Sequence, residues 1–271
     1  MDITREQENK NGQLVRAKSS YHTNEAIRLE IVKLLSNKSI GDDFKILDLG
    51  AGRGYFTSRL FDMLTSLNLN AKSHLSACDY NLQEYVFSDI PCEFGDFNNG
   101  LNYKDESFDI VVFIEVIEHL EDPFKCIREI NRILKKGGIL FISTPNILSL
   151  TSKMQFLFRG TYPLFNYLPL SDNELRGCNQ HVNPLSLVYL SFILKRSNFS
   201  IKPFTNRHKK GSLFLYYLLY PFLLISKIKI NIELKKREKA IYNDNKDIVP
   251  YMYSKDILCG ATLIIQATKM E

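Results

Sequence analysis

A glycine-rich turn that follows a short apolar strand has the clearest chemical meaning in this 271-residue chain. Residues 46–55 read Ile-Leu-Asp-Leu-Gly-Ala-Gly-Arg-Gly-Tyr, which places Asp48 in the strand and Gly50, Gly52 and Gly54 in the turn. Glycine tolerates a positive φ and lets a ligand approach the backbone, and the predicted helix at 56–64 presents unpaired N–H groups. The spacing differs from the Gly-x-Gly-x-x-Gly of dinucleotide-binding folds. It predicts a cofactor-binding loop, and the alternative is an ordinary tight turn.

Two further acids follow at the ends of predicted strands. A carboxylate at the position of Asp79 can accept both hydroxyls of a ribose, although a helix N-cap is the alternative interpretation. In Gly95-Asp96-Phe97, the carboxylate can accept an amino group of a base and the phenyl ring can face its plane. The alternative is a β-turn, since Gly-Asp is typical of turns. The order of these sites along the chain favours a nucleoside site at one sheet edge.

The elements that must position these residues alternate between strand and helix. Apolar periodicity predicts an amphipathic helix over 24–37, with Asn24 as its N-cap. A second helix is predicted to begin at Pro123, and Lys136-Gly137-Gly138 is predicted to form its C-cap and the turn after it. The predicted strands are 44–49, 74–78, 91–94, 108–114, 139–143, 199–203 and 259–269, and the remaining predicted helices are 53–67, 123–135 and 184–195. This alternation implies right-handed crossovers and a doubly wound α/β sheet.

Taken together, the motifs resemble class I S-adenosylmethionine-dependent methyltransferases. The resemblance is carried by the glycine turn and by three later segments, 107–112 (Ser-Phe-Asp-Ile-Val-Val), 115–123 (Glu-Val-Ile-Glu-His-Leu-Glu-Asp-Pro) and 135–146, which ends Ser-Thr-Pro-Asn. It covers about residues 40–146 well and is looser over 181–203. The branch most similar to this chain includes ubiquinone-type O-methyltransferases and methyltransferases of surface glycans.

This resemblance implies a Rossmann-like, mostly parallel sheet of seven strands with substrate-side insertions, and S-adenosylmethionine as cofactor. In that family the glycine loop wraps the amino-acid end of the cofactor, and Glu115 borders it. The predicted cofactor-binding residues are Asp48, Gly50, Ala51, Gly52, Gly54, Tyr55, Asp79, Tyr80, Asp96, Phe97 and Glu115.

The predicted catalytic residues are His119, Glu118 and His181. Methyl transfer to oxygen needs alignment of the reactants and a route for the acceptor proton, for which histidine is the usual base near neutral pH. The resemblance places His119 facing the acceptor, whereas the alternative has this ring packing the loop while proximity alone drives transfer. With Glu115, the three residues also resemble the divalent-metal site of small-RNA 2′-O-methyltransferases, but the rest of the chain does not, so we predict no metal.

Two segments interrupt the α/β pattern on the predicted substrate side, within a single domain over 1–271 that begins with an N-terminal cap helix in 1–40. The first insertion, 146–183, is rich in aromatic residues, and the second, 204–258, separates the last two strands. The second contains thirteen apolar or aromatic residues, 213–225, between basic clusters. This run is shorter than a bilayer span and contains Pro221, so 207–237 is predicted to be a lid, a dimer helix or a peripheral membrane contact.

Composition narrows the classes of protein. The net charge of +5 does not by itself indicate nucleic acid, and the five cysteines (78, 92, 126, 178 and 259) form no C-x-x-C pair, which favours a reducing compartment. Since the first residues carry no apolar signal region, we expect a cytoplasmic protein, peripheral at the inner membrane face if 207–237 docks on lipid.

The sequence therefore predicts O-methylation of a small or lipid-linked acceptor, either a surface-polysaccharide sugar or a quinone-type hydroxyl. The alternatives are a metal-dependent RNA 2′-O-methyltransferase and a catalytically inactive, membrane-associated subunit that retains the cofactor pocket.

Overall fold

A seven-stranded sheet in the order β3-β2-β1-β4-β5-β7-β6 organises the part of the chain that the structure describes. That part of the computed structural model comprises residues 21–36, 40–168, 180–205, 207–237 and 239–271. The strands are β1 (Ile46–Leu49), β2 (Leu75–Asp79), β3 (Cys92–Phe94), β4 (Phe108–Ile114), β5 (Leu134–Pro145), β6 (Phe199–Phe204) and β7 (Thr262–Lys269). β7 runs antiparallel to both of its neighbours, and the other pairs are parallel. The predicted doubly wound, mostly parallel sheet is confirmed.

Helices cover both faces of this sheet. They are α1 (Tyr21–Ser36), α2 (Tyr55–Ser66), α3 (Ala71–His74), α4 (Pro123–Ile133), α5 (Leu150–Arg159), α6 (Leu187–Arg196), α7 (Lys210–Lys236), α8 (Lys239–Asn245), α9 (Ile248–Met252) and α10 (Lys255–Cys259). Alternate residues of β4 enter opposite cores: Val111 and Phe113 pack with α4 and α6, whereas Ile110 and Val112 pack with α1 and α2. Because both faces are buried, β4 reads as a continuous apolar run.

The carboxyl ends of β1, β2, β4 and β5 lie at one edge of the sheet, which is where the predicted site should form. Asp48 pairs in register with Ala77 on one side and Val112 on the other, and Ile114 pairs with Ser143. Strand order reverses between β1 and β4, so this edge is also the switch point of the fold.

Two predicted caps are wrong. Asn24 lies buried inside α1, which already includes Tyr21, so its side chain cannot cap the first turn. Helix α4 ends at Ile133, and β5 begins at Leu134, which pairs with Phe108. Strand pairing therefore starts before the two glycines. Phe108 pairs with Leu134 and Ile110 pairs with Ile139, so the residues predicted to cap the helix lie instead in an irregular part of β5 where the register shifts. The predicted Pro123 start of α4 is confirmed, with Asp122 accepting from the Lys125 N–H.

Other boundaries also differ from the predictions. Residues 71–74 form a short helix before β2, where a strand was predicted to begin at His74. Cys259 belongs to α10, because the Ser254 hydroxyl caps a helix there and β7 begins only at Thr262. Helix α1 ends at Ser36, and α6 begins at Leu187 after the cap of Ser186. The lead-in at 1–20 and Cys178 lie outside the described residues.

The largest correction concerns the apolar run in the second insertion. It forms part of one continuous helix, α7, and Pro221 lies inside that helix rather than ending it. A proline in a helix interior costs about 3 kcal/mol, so packing of α7 on α5, α9 and α10 must offset the missing hydrogen bond. Among the described residues, α7 is the one helix long and apolar enough to cross a membrane, with a mean hydropathy of 1.5 over 18 residues, none of which is buried.

Candidate active site

The three glycines of the turn have different surroundings, although all have a positive φ. A Cβ on Gly50 would collide with the Val116 side chain, and a Cβ on Gly54 would lie 2.7 Å from Cβ of Phe87. A Cβ on Gly52 would meet nothing within 4 Å. Two of the glycines therefore permit close packing of the chain, whereas Gly52 is the one that borders open space beside the sheet edge.

Asp48 stabilises this turn from below. Its side chain is buried, and its Oδ2 accepts a 2.7 Å hydrogen bond from the hydroxyl of Thr57 in the first turn of α2. Burial raises the pKa of Asp48 to about 7, and the nearby charge of Asp79 adds to the rise, while the bond from Thr57 opposes it. The Asp48 side chain thus bonds α2, and we expect it to influence cofactor binding by holding the glycine turn in position.

Asp79 joins the end of β2 to the glycine turn. Its Oδ2 accepts from the Gly52 N–H at 2.7 Å, and its Oδ1 accepts from the Asn81 N–H at 2.8 Å. Each carboxylate oxygen keeps a lone pair for a further donor, such as a ribose hydroxyl. The ring of Tyr80 next to it leans on Phe94, with centroids 5.7 Å apart. Asp79 and Gly52 are therefore adjacent, as the order of the motifs predicted.

Asp96 and Phe97 are engaged within the protein. The Asp96 carboxylate accepts from the Asn98 N–H at 3.0 Å and from the Asn99 amide at 2.7 Å, an arrangement typical of a turn. Phe97 is buried in the core, edge-on to Phe113. A role for both in holding a base stays a prediction, and the turn described above as the alternative is what the structure contains.

Glu115 turns away from the sheet axis directly after β4. It is a non-glycine residue with a φ of +53°, and its Oε1 accepts a 2.7 Å hydrogen bond from the Ser143 hydroxyl. Burial raises the pKa of Glu115 to about 7, with the bond from Ser143 acting against the rise. Ser143 belongs to the Ser-Thr-Pro-Asn motif, which predicted no separate role for it. In the structure its hydroxyl fixes the Glu115 carboxylate at the carboxyl edge of the sheet.

The next turn of chain brings the two predicted histidines together. His119 and His181 lie edge-on with ring centroids 4.6 Å apart. Nδ1 of His119 lies 2.9 Å from the Gln180 carbonyl oxygen, which can only accept, so Nδ1 carries the proton and Nε2 keeps a lone pair. Burial lowers the pKa of His119, which keeps the ring neutral and able to take a proton. Burial and the neighbouring His119 lower the pKa of His181 to about 4.

Glu118 completes this cluster from below. It is fully buried, and neither of its carboxylate oxygens makes a hydrogen bond of normal geometry, although the nearby Thr144 hydroxyl acts against the pKa rise that burial causes. Burial raises its pKa well above the ordinary value, and the charge of Glu115 raises it further. Its backbone carbonyl accepts from the N–H groups of Val182 and Asn183, both at 2.9 Å, which ties the turn after β4 to the segment that carries His181.

Ligand atoms of Glu118, His119 and His181 all lie within 4.8 Å of one another, close enough to hold one metal ion. Three of the four residues that resemble a divalent-metal site in the sequence thus lie together. The fourth, Glu115, accepts a hydrogen bond from Ser143 instead. A buried, unpartnered carboxylate beside two neutral imidazoles is chemically suited to a divalent cation.

A line of aromatic rings leads from the histidines to the surface. Phe165 lies edge-on to His181 at 5.3 Å between centroids, and its N–H donates to the Tyr162 carbonyl at 3.1 Å. Tyr162 stacks on Phe156 of α5, with centroids 4.6 Å apart. No sequence pattern specified this order, because the contacts join rings on a helix, a loop and the segment at 180–183.

Comparison with known proteins identifies the family and the fold. A family model described as a methyltransferase domain matches residues 40–175. The ubiquinone biosynthesis O-methyltransferase of Glaesserella parasuis serovar 5 is 28% identical over 195 residues, covering 61% of this chain and 79% of that protein. The mitochondrial enzyme of the same description from Dictyostelium discoideum is 31% identical over 159 residues, covering 54% of this chain and 47% of that protein. A SAM-dependent methyltransferase structure from Archaeoglobus fulgidus shares the fold, with a TM-score of 0.52 and 17% identity, covering 93% of this chain and 97% of that one.

Proposed function

Because the chain belongs to the methyltransferase-domain family and is an S-adenosylmethionine-dependent methyltransferase, we propose that it methylates a hydroxyl oxygen of a small or lipid-linked acceptor. The observation that carries the proposal is the neutral, oriented His119 at the end of the aromatic line. A quinone-type ring hydroxyl is the acceptor class that the names of the curated relatives favour. A surface-polysaccharide sugar is the other acceptor class.

The residues present at the sheet edge fit the cofactor. The open space beside Gly52 leaves room for a ligand against the backbone, and Asp79 next to it retains acceptor capacity for hydroxyl groups. When bound, S-adenosylmethionine would supply a methyl group on a positively charged sulfur. An acceptor oxygen aligned opposite that sulfur can bond the methyl carbon, and the sulfur then leaves as a neutral thioether. Glu115 and Asp48 keep the surrounding backbone in place through Ser143 and Thr57.

His119 removes the acceptor proton in this proposal. The proton moves from the acceptor hydroxyl to Nε2, while Nδ1–H continues to donate to the Gln180 carbonyl and holds the ring in orientation. Because burial lowers its pKa, the ring is available as a base at neutral pH. His181, whose pKa burial and the neighbouring His119 lower to about 4, stays neutral and lies beside the ring of His119.

The aromatic line supports an acceptor with an apolar part. Ring contacts join His181 to Phe165 and Tyr162 to Phe156, and a backbone hydrogen bond from Phe165 to Tyr162 connects the two pairs. The series ends at α5, where Phe156, Leu157 and Phe158 are exposed. A hydrocarbon tail can lie along such rings while its polar head reaches His119.

Acceptor choice can be tested with purified protein, labelled S-adenosylmethionine and three acceptors. These are a ring hydroxyl bearing an isoprenoid tail, the same ring without the tail, and a polyprenyl-linked sugar. We expect methylation at oxygen, located by mass spectrometry of the product, and a lower KM for a tailed acceptor than for the bare ring. Methylation at a ring carbon instead of the hydroxyl oxygen, or no methylation of any of the three, would contradict the proposal, and equal KM values with and without a tail would remove its lipid-linked part.

A divalent cation bound by Glu118, His119 and His181 is a second candidate mechanism, favoured by the buried carboxylate that lacks a partner. In it these three residues would hold the ion, and the ion would supply positive charge that orients and acidifies an acceptor hydroxyl, as metal-dependent RNA 2′-O-methylation would require. Calorimetric titration of the chain with Mg²⁺ or Mn²⁺, without cofactor or acceptor, tests it. Binding that Glu118→Gln abolishes would support the cation, and no binding in either protein would leave His119 as the base.

A further inference from the structure

Helix α7 presents apolar residues on two opposite faces, but only one face contacts the protein. On the inner face, Leu213, Leu215, Tyr216 and Leu223 pack against Leu150, Leu258 and Cys259. On the outer face, Phe214, Leu218, Phe222, Ile225 and Ile228 are each 60–69% exposed. Their spacing places all five along one side of the helix, which we call the outer stripe. An apolar stripe of this length facing solvent marks an interaction surface.

Polar contacts hold the inner face against the catalytic domain. The Ser212 hydroxyl lies 2.9 Å from that of Thr151 in α5, and the Ser226 hydroxyl lies 2.8 Å from that of Tyr253, just after α9. Lys255 of α10 donates to the Tyr217 hydroxyl at 3.0 Å. These contacts extend from the first turn of the helix past its middle, so the outer stripe keeps a fixed orientation relative to the active site.

The charge around α7 identifies what covers the stripe. Residues 207–237 contain eight Lys or Arg and a single acidic residue, Glu233, so this segment alone has a net charge of +7. The whole chain has +5, which leaves −2 for all other residues together. A second copy of the same face would bring two such positive segments together, which is unfavourable. An anionic surface with an apolar interior matches both the charge and the stripe.

We propose that α7 lies in the plane of an anionic lipid bilayer, with the outer stripe inserted among the acyl chains and its lysines at the headgroups. The helix is about 40 Å long at 1.5 Å per residue, so it could span a bilayer by length alone. Spanning would require the inner face to leave Leu150, Leu258 and Cys259, whereas an in-plane orientation keeps every contact described above. The exposed residues Phe156, Leu157 and Phe158 of α5, which packs on α7, extend the same surface.

The outer stripe of α7 does not depend on which acceptor the enzyme uses, because none of the stripe's residues is placed in the catalytic site, the cofactor site or the aromatic line. It can therefore fail without affecting the proposed O-methylation, and a failure of the O-methylation proposal leaves it intact.

Fluorescence offers a direct test, since the chain contains no tryptophan. Phe222→Trp introduces one on the outer stripe, and Phe192→Trp introduces a matched control on α6, where the native ring is 53% exposed. With phosphatidylglycerol-containing vesicles, emission from position 222 should shift to the blue and that from position 192 should stay unchanged. No shift at position 222, or an equal shift at both positions, would overturn the proposal.

Co-sedimentation of the full chain with the same vesicles separates the apolar from the electrostatic contribution. Replacing Phe214, Leu218 and Ile225 by Ser should weaken binding at least tenfold, whereas replacing Val188, Tyr189 and Phe192 of α6 by Ser should not. Changing Lys229, Lys235 and Lys236 to Gln should weaken binding to anionic vesicles, and changing the exposed lysines 72, 104 and 202 to Gln should leave it within twofold. Cofactor affinity measured by calorimetry checks that each variant is folded.

Two further outcomes would overturn the proposal. A dimer in solution that the triple Ser variant of the stripe dissociates, without vesicle binding by the unmodified chain, would assign the stripe to a second copy. Quenching by brominated lipids distinguishes the orientation: Trp at positions 214, 222 and 232 should report equal depth. A steady change in depth along the helix would show that α7 spans the bilayer instead.

Discussion

Two regions of this protein are held together by different kinds of contact: the residues around Gly52 and Asp79, which we call the cofactor edge because we propose that the cofactor binds there, and those around His119 and His181, which we call the acceptor side for the corresponding reason. At the cofactor edge, a 2.7 Å hydrogen bond joins Gly52, in the turn after β1, to Asp79 at the end of the neighbouring β2, and Asp48 accepts from Thr57 only nine residues away. On the acceptor side, His119 is oriented by the carbonyl of Gln180, and its ring neighbours lie on separate segments. The first region is built by the sheet, and the second by loops that meet over it.

This difference should separate the effects of mutation. Changes on the acceptor side should lower turnover without changing cofactor affinity, and changes at the cofactor edge should lower affinity or stability. The predictions that follow test that separation, starting with the largest expected effect.

Replacing His119 should give the largest loss. His119→Ala removes the proposed base, and His119→Asn removes it too but keeps an amide donor for the Gln180 carbonyl. Both should lower kcat by about 10²–10⁴-fold, the range for loss of a general base, while calorimetry shows unchanged cofactor affinity. Activity retained by the Asn variant alone would show that His119 only positions the loop, and weaker cofactor binding in both would erase the separation between the regions.

Asp48 should make the stability of the cofactor edge depend on pH. Its pKa rises on folding from 3.8 to about 7, so the folded state holds a proton that the unfolded state releases between these values. Stability is therefore fully present below the lower value and is lost as pH rises through the higher one, by up to about 4 kcal/mol. Asp48→Asn cannot ionise and should reduce this slope in urea unfolding across about pH 4–7, leaving the part that Glu115 and Glu118 contribute through their own raised pKa values. The exposed Asp62→Asn is the control, and an unchanged slope in Asp48→Asn would exclude the burial argument.

The same contrast explains how much the sequence could predict. The strands, the glycine turn and the position of Asp79 follow from local apolar patterns and from the rule that parallel strands end at one edge. Tertiary packing determines side-chain positions that local patterns do not. The sequence pattern around Phe97 predicted a contact with the adenine ring, but this side chain is buried in the core. Pro221 had the character of a helix break, yet α7 continues through it because its inner face is packed. The aromatic line joins distant segments that no local pattern connects.

Mutation of Asp79 tests whether its carboxylate binds the cofactor in addition to holding the backbone of Gly52 and Asn81 in place. Asp79→Ala removes an acceptor at the open space beside Gly52, and losing a charge-assisted pair of hydrogen bonds costs about 1.5–3 kcal/mol. Cofactor affinity measured by calorimetry should fall by about 10–100-fold on that basis. Asp79→Asn keeps one acceptor oxygen and should lie between the two proteins. Equal affinity in all three would reduce Asp79 to a brace for Gly52 and Asn81.

The smallest effect should come from Gly52, and Gly137 provides its matched control. Both have a positive φ, +52° and +70°, and a Cβ on either would meet nothing within 4 Å. Alanine at either position therefore carries the same backbone strain, about 1–2 kcal/mol, without a clash in the protein itself. They differ in location, since Gly52 lies beside Asp79 and Gly137 lies in β5 just after the helix α4. Gly52→Ala and Gly137→Ala should thus lose similar stability in urea unfolding, while only Gly52→Ala weakens cofactor binding, by about tenfold for a displacement worth 1.4 kcal/mol. If both variants bind the cofactor equally well, the space beside Gly52 is not where the ligand meets the backbone, and the cofactor edge would have to be placed elsewhere along the sheet.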